Sequence, residues 1–224
     1  SGLIAVWLAP VIKEKLHPER VAFLGINDDY GRSHNEGISE ELAKLGVKTV
    51  AKEYYERGTT DYYVLLSKIM KANPDIVVFV GVTPEAGMAL RQAREIGLVP
   101  RVRWLGSVES SEEEILEKVG PEMVEGTYAW AVWGEVPGQL VRRVKKKFNA
   151  PMHYGIVYGY DSLQVIARAI ELAQSVDPVK IRDAMEKLDF QGLSGHVKFE
   201  NFDAPNGRHY EHQVKQPPLL IKWV

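Results

Sequence analysis

The sequence predicts an α/β fold: a doubly wound parallel sheet, with further helices that belong to an incomplete second lobe. Three observations carry that expectation. Helical and strand-like segments alternate regularly through the first 133 residues. Two of the strand-like segments, Arg20 to Ile26 (RVAFLGI) and Asp75 to Val80 (DIVVFV), are near-continuous apolar runs, as strands covered on both faces require. After residue 137, three helical segments follow one another with no strand between them.

The elements can be justified in order. Residues 3–16 place Ile4, Trp7, Leu8, Val11, Ile12 and Leu16 at helical spacing. The strand 20–26 follows, then a helix over 33–45 that stops at Gly46, a residue suited to a left-handed helix end. Residues 48–55 alternate as a strand, and a helix over 61–72 halts at Asn73-Pro74. After the strand 75–80, Thr83-Pro84-Glu85 reads as N-cap, first-turn proline and first-turn acid of a helix that ends at Gly97. Residues 102–105 form a fourth strand. Ser111 and Glu114 have the spacing of a capping box, and Gly120-Pro121 ends the helix that follows. Residues 126–133 make a fifth strand. The helices then expected are 138–148, 155–174 and 178–188, followed by strands at 195–199, 211–216 and 219–224 and a Gly/Pro/Asn turn between the first two.

The composition excludes several function classes. Among 224 residues, 28 Lys and Arg face 30 Asp and Glu, so nothing draws the chain to nucleic acid or an anionic surface in general. With no Cys there is no disulfide, thiolate metal site or cysteine nucleophile. No apolar stretch reaches the ~18 residues of a membrane span. Ser1-Gly2-Leu3-Ile4 has no basic lead-in, so the start is not an intact signal peptide. Neither phosphate-loop pattern appears, nor a nucleophile elbow or an HExxH helix, so catalysis has no residues to rest on and no cofactor or metal is expected. His209 and His212 sit in a turn-like segment, where an i, i+3 pair points in different directions. The basic run Arg142 to Lys147 has the spacing of a solvated helix face rather than of a nucleic-acid site. Trp130 and Trp133 read as core or hinge-edge residues.

The length, at about 150 residues per domain, gives about one and a half domains. The alternation opens on a helix with no strand before it, and the helix at 155–174 has a wide apolar face that needs a covering layer. Both oddities lead to the expectation of a fragment whose second α/β lobe is incomplete. The alternative is that the late helices pack on the first domain or on a second copy of the chain. A doubly wound sheet offers its crevice at the carboxyl ends of its strands, here the loops after Ile26, Gly81 and Gly106.

Several stretches, taken in order, are VAFLGINDDYGRS (21–33), TTDYYVLLSKI (59–69), PDIVVFVGVTPEAGMALRQAR (74–94), YGYDSLQVIARAIE (158–171) and GLSGHVKFENFDAPNG (192–207). Together they resemble the type I periplasmic substrate-binding proteins, especially the leucine/isoleucine/valine-binding proteins of ABC importers. An acidic pair after a first strand, Asp28-Asp29, also marks phosphorelay receivers. Those need an aspartate after the third strand, where this chain has Gly81-Val82-Thr83.

The resemblance implies a chain lacking an N-terminal segment of about 120 residues, one ordinary domain's worth. Residues 1–134 and 213–224 would form the C-terminal α/β lobe. Residues 135–212 would be the remainder of the N-terminal lobe, with hinge crossings near Trp133–Pro137 and Gly192–Gly195. It implies a small amino acid or amide as ligand, held between two closing lobes, and a membrane permease as partner. A sensor or receptor domain of the same fold is the alternative. It implies a periplasmic or extracellular location, with a lipid anchor as one form of it. With the second lobe incomplete, binding is expected to be impaired, and the exposed helix faces are expected to be covered by a missing segment or by a homodimer that exchanges helices.

Site residues follow from the same resemblance. Tyr30 occupies the position of a ligand-contacting aromatic, although a turn aromatic packing on the next helix would explain it equally. Val82 stands where branched-chain binders tend to carry Tyr, a departure that leaves room for a different ligand. Capping alone would account for Thr83. In Ser107-Val108-Glu109, Glu109 lies near the acid that meets the ligand ammonium, one position out of register; its alternative is a solvated acid before an acid-rich first turn.

Overall fold

The computed structural model describes residues 2–204 and 207–224. The turn expected around Pro205 and Asn206 lies outside them. In chain order the elements are α1 (Gly2–Leu16), β1 (Arg20–Ile26), α2 (Asp29–Lys44), β2 (Lys48–Tyr55), α3 (Tyr63–Lys71), β3 (Ile76–Val80), α4 (Thr83–Glu95) and β4 (Arg103–Gly106). A 3-10 turn (Val108–Ser111), α5 (Glu114–Val119), α6 (Pro121–Val124) and β5 (Tyr128–Ala131) follow. Then come α7 (Gly138–Phe148), α8 (Tyr154–Ala173), α9 (Pro178–Met185), β6 (Asp189–Gln191), β7 (His196–Asp203), β8 (His209–Val214) and β9 (Leu219–Lys222). They form two compact units, Ser1–Ala131 with Pro218–Val224, and Val132–Pro217.

The first unit holds a six-stranded sheet in the order β2-β1-β3-β4-β5-β9. β1 to β5 run parallel, and β9 closes the edge antiparallel to β5. This is the doubly wound α/β arrangement, and its order reverses between β1 and β3, which puts the crevice at their carboxyl ends. Gly25 pairs with Val80 and Phe79 with Gly106, so the loops after β1, β3 and β4 leave the sheet at one level. Ala22, Leu24 and Ile26 of β1 and Val77 and Phe79 of β3 pack with Leu66 and Ile69 of α3 and Ala89, Leu90 and Ala93 of α4. The alternate residues, Val21, Phe23, Ile76 and Val78, turn to the opposite face and are buried as well. There α2 packs on β1 and β3, with α1 against α2. Tyr55, Phe79 and Trp104 stack in a row, at centroid distances of 5.7 and 5.6 Å.

The amino edge is clasped. Asp75 Oδ2 accepts from the amides of Glu19 and Arg20, both at 2.8 Å. Arg20 donates through Nε to the carbonyl of Asn73 at 2.8 Å and through Nη2 to that of Ala72 at 2.6 Å. Arg103 donates to the carbonyls of Asp75 and Leu16. The end of α1 and the starts of β1, β3 and β4 are thereby held together.

In the second unit, β6-β7-β8 form an antiparallel sheet whose Val197 packs with Val165 and Ala169 of α8, Ala184 of α9, and Leu188. A separate cluster joins Val144, Met152 and Val157 with Trp133 and Leu193 at its margin. Asp161 of α8, only 4% exposed, accepts from the amides of Leu193 and Ser194 at 2.8 and 2.7 Å and from Ser194 Oγ at 2.6 Å. Gly192 is needed beside it, because a Cβ there would lie 2.7 Å from Asp161 Oδ2. Ser194 Oγ accepts from Gln216 Nε2, and Tyr158 bonds both Gln216 Oε1 and the carbonyl of Val132.

Several local expectations are corrected. The second helix begins at Asp29 rather than residue 33, because Asp28 accepts from the Gly31 amide at 2.9 Å and caps it there. Thr83 is not a cap: Val82 holds that position with no side-chain bond, and Thr83 opens the helix. The capping box at Ser111 does not form, since Ser111 Oγ donates to the carbonyl of Val108 at 2.6 Å inside the 3-10 turn. β5 has four residues, not eight, and the third late helix stops at Met185. β6 is an unexpected strand, with Asp189 meeting His196 and Lys198 of β7 at 3.0 and 3.3 Å. β7 extends to Asp203, and β8 starts at His209.

Phe79→Ala removes the middle ring of the aromatic row from a fully buried position. It is expected to lower stability by about 3–5 kcal/mol. Urea unfolding measures this, and a loss below about 1 kcal/mol would show the row to be dispensable.

Candidate functional site

The loops at the carboxyl edge bring three of the expected residues into one hydrogen-bonded group. Because Asp28 starts α2 immediately after β1, Tyr30 lies in the first helical turn, and its ring rests against His34 at a centroid distance of 4.4 Å. Its hydroxyl donates to Glu109 Oε2 at 3.5 Å, across 79 residues of sequence. Ser107, fully buried, follows β4 directly; its Oγ lies 3.0 Å from the same carboxylate oxygen. Ser107 Oγ also donates to the carbonyl of Gly81 at 2.8 Å and accepts from the Gly81 amide at 3.3 Å. The loops after β3 and β4 are thus joined through one hydroxyl. Val82 and Thr83 adjoin this group along the chain, with Val82 half-buried and Thr83 buried at the start of α4.

Ser107 has a single proton and two acceptors, Gly81 O and Glu109 Oε2. Both contacts are satisfied together when Glu109 is itself protonated and supplies the second proton. Burial is the main influence on this carboxyl and raises its pKa; its own amide, Ser107 and Tyr30 oppose the shift. Tyr30, Ser107 and Glu109 therefore form a partly buried hydrogen-bonded group that can accept a hydrogen-bond donor or a positive charge. A charge arriving there would meet a carboxylate with little competing water.

The site has features that single residues of the sequence do not announce. Gly81 is required because a Cβ would fall 1.8 Å from the Tyr55 hydroxyl. Arg57 pairs with Asp28 at 3.0 Å and so braces the cap of α2. The sequence pattern puts the start of this helix at residue 33 and announces neither the Asp28 cap nor its brace by Arg57. In the second unit, an apolar concavity of about 310 Å³ is lined by Val165, Ile166, Met185, Val197, Phe199 and Val214, with Asp161 at its border. Its Asp161 is taken up by the 193–194 loop, and Tyr158, Ser162 and Gln216 add polar groups to its lining.

Among the described residues, no three His, Cys, Asp or Glu side chains gather as a metal site. His209 and His212 face different carboxylates, Asp203 at 2.8 Å and Glu186 at 3.0 Å. On α7, Val144 is buried while Arg142, Arg143, Lys145, Lys146 and Lys147 are exposed, as a solvated face would be. No helix among the described residues is long and apolar enough to cross a membrane.

Comparison with known proteins adds to this geometry. The family described as "Periplasmic binding protein" matches residues 4–215. The chain is 30% identical, over 86% of its length and 53% of the relative's, to a leucine-, isoleucine-, valine-, threonine- and alanine-binding protein of Pseudomonas aeruginosa. It is 31% identical to an amino acid binding protein of the same organism, over 89% of this chain and 53% of that one. The chain thus spans about half the length of the curated relatives it matches. Among solved structures, the leucine-binding protein LivK of Thermotoga maritima is similar with a TM-score of 0.77 and 25% identity, over 94% of this chain and 60% of that one.

A carboxyl that is easier to protonate folded than unfolded contributes stability that is fully present below its ordinary pKa of 4.5 and is lost as pH rises through the raised folded value. Glu109→Gln keeps the shape but cannot ionise. It is expected to flatten that part of the profile in thermal melts taken from pH 4 upward. Melting curves that fall with pH as steeply as those of the unaltered protein would refute this.

Proposed function

The chain belongs to the periplasmic binding protein family, and on that premise we propose that it is the substrate-binding component of an ABC importer. The family is one of periplasmic binding proteins, not of enzymes. The ligand of this reading is a small amino acid or an amide-like molecule taken at the carboxyl edge of the parallel sheet. The observation that carries it is the convergence of Tyr30 and Ser107 on one carboxylate oxygen of Glu109.

In this reading Glu109 receives the ligand ammonium and gives up its proton, Ser107 fixes the carboxylate, and Tyr30 lays an aromatic wall beside the ligand. Val82 and Thr83 line the β3 side. The relatives' names support an amino acid: one binds leucine, isoleucine, valine, threonine and alanine. Val82 leaves space for a larger side chain than a tyrosine there would. Closure over the ligand, biased by its differential contacts with the closed form, then presents a surface for a membrane permease.

Calorimetric titration with aliphatic and aromatic amino acids and their deaminated amides tests the site. Glu109→Gln is expected to weaken amine-bearing ligands by on the order of tenfold to a hundredfold, as loss of a charge-assisted pair does, and to leave amides without an amine nearly unchanged. Equal losses for both classes would remove Glu109 from the ligand-binding role.

A homodimer is part of the same proposal. α8 turns Leu163, Ile166 and Leu172 outward at 69%, 48% and 52% exposure, an apolar face that a second copy could cover through exchanged helices. Light scattering is expected to return twice the 25.2 kDa chain mass. A stable monomer at micromolar concentration would overturn the dimer without touching the ligand site.

A further inference from the structure

Near the end of β3, three buried polar side chains lie close to one another. Tyr55 ends β2, Tyr62 precedes α3, and Glu85 stands in the first turn of α4. They are 2%, 0% and 5% exposed. The Tyr55 hydroxyl, the Tyr62 hydroxyl and Glu85 Oε2 have no hydrogen-bond partner among the described residues. The two rings meet edge to face with centroids 5.2 Å apart. Glu85 is held by its other oxygen, which accepts from the Gly58 amide at 3.3 Å. Burial above all pushes both phenols above their ordinary pKa, followed by Tyr62 and then Glu85 for Tyr55 and by Glu85 for Tyr62, so each hydroxyl keeps its proton.

The 56–62 loop is tied to α4 beside these groups. Gln92 of α4 accepts from the Tyr62 amide at 2.6 Å and donates to the Thr60 carbonyl at 2.7 Å. Thr59 donates its amide to Glu56 O at 3.0 Å and so turns the loop back on itself. Native interiors rarely leave one such group unpaired, and here three share a neighbourhood. Two hydroxyls and one carboxylate oxygen match the bonding capacity of a single water. It can accept from both phenols and donate to Glu85 Oε2, or accept from one and donate to the other two. A metal cation matches less well, because one carboxyl and two neutral phenols offer it little charge.

We propose that Tyr55, Tyr62 and Glu85 enclose a binding site for one ordered water, which joins the end of β2 and the 56–62 loop to the start of α4. The site is separate from the ligand reading and does not depend on it. A crystal structure of the protein at atomic resolution, with crystals also soaked in rubidium chloride, tests it directly. The expected result is one water peak within about 3.2 Å of both phenolic oxygens and Glu85 Oε2, without anomalous signal from rubidium. A rubidium peak at that position, or direct contact of the hydroxyls with Glu85 and no density between them, would overturn it. Thermal melts of Tyr55→Phe, Tyr62→Phe and the double variant give a second measure. A shared water makes the losses non-additive, so the double variant should drop in Tm by clearly less than the sum of the singles. Additive drops would count against a common water.

Discussion

A parallel sheet must be covered on both faces, since its crossovers put helices above and below it and leave no face for water. In this chain β1 and β3 meet that demand almost without a polar side chain, with α3 and α4 on one side and α2 on the other. Chemistry is therefore confined to the two rims, where the backbone turns. The amino rim is occupied by the Asp75, Arg20 and Arg103 clasp. The carboxyl rim gathers Tyr30, Gly81, Ser107 and Glu109 in one hydrogen-bonded group.

At that rim, hydrogen-bond valence matters as much as proximity. Ser107 is surrounded by more acceptors than it has protons, and the buried carboxyl of Glu109 is easier to protonate than a free one. A carboxyl held in this way costs little to bury while empty, yet becomes a strong acceptor once a cation arrives. Packing sets the same limits on shape. Gly81 is a glycine because the Tyr55 hydroxyl occupies the place of its side chain, so the β3 loop passes close over the ring row of the core.

Much of the fold was legible in the sequence because long apolar runs and helical periodicity are strong, local signals. β1, β3 and the cores of α7, α8 and α9 are where the pattern puts them. The errors lie where a side chain acts on backbone at short range. The Asp28 cap moves the start of α2 by a turn, and Ser111 bonds backward into a 3-10 turn instead of forward to a helix. β6 is too short to show a period and exists through its pairing with β7. Of the candidate site, Tyr30, Ser107 and Glu109 are named through the family resemblance alone, and their meeting through Oε2 and the Ser107 bridge to Gly81 join three different loops and leave no local trace. The same is true of Tyr55, Tyr62 and Glu85, which carry no motif at all.

The clasp at the amino rim has an implication for how such a chain can change over time. Its donors and acceptors are mostly main-chain groups served by three side chains, and none of them reaches the opposite rim. Loops at the carboxyl rim can lengthen, shorten or exchange residues such as Val82 without touching the bonds that hold the amino rim. A lineage built on this frame can vary one end a loop at a time while the other end keeps the strands in register.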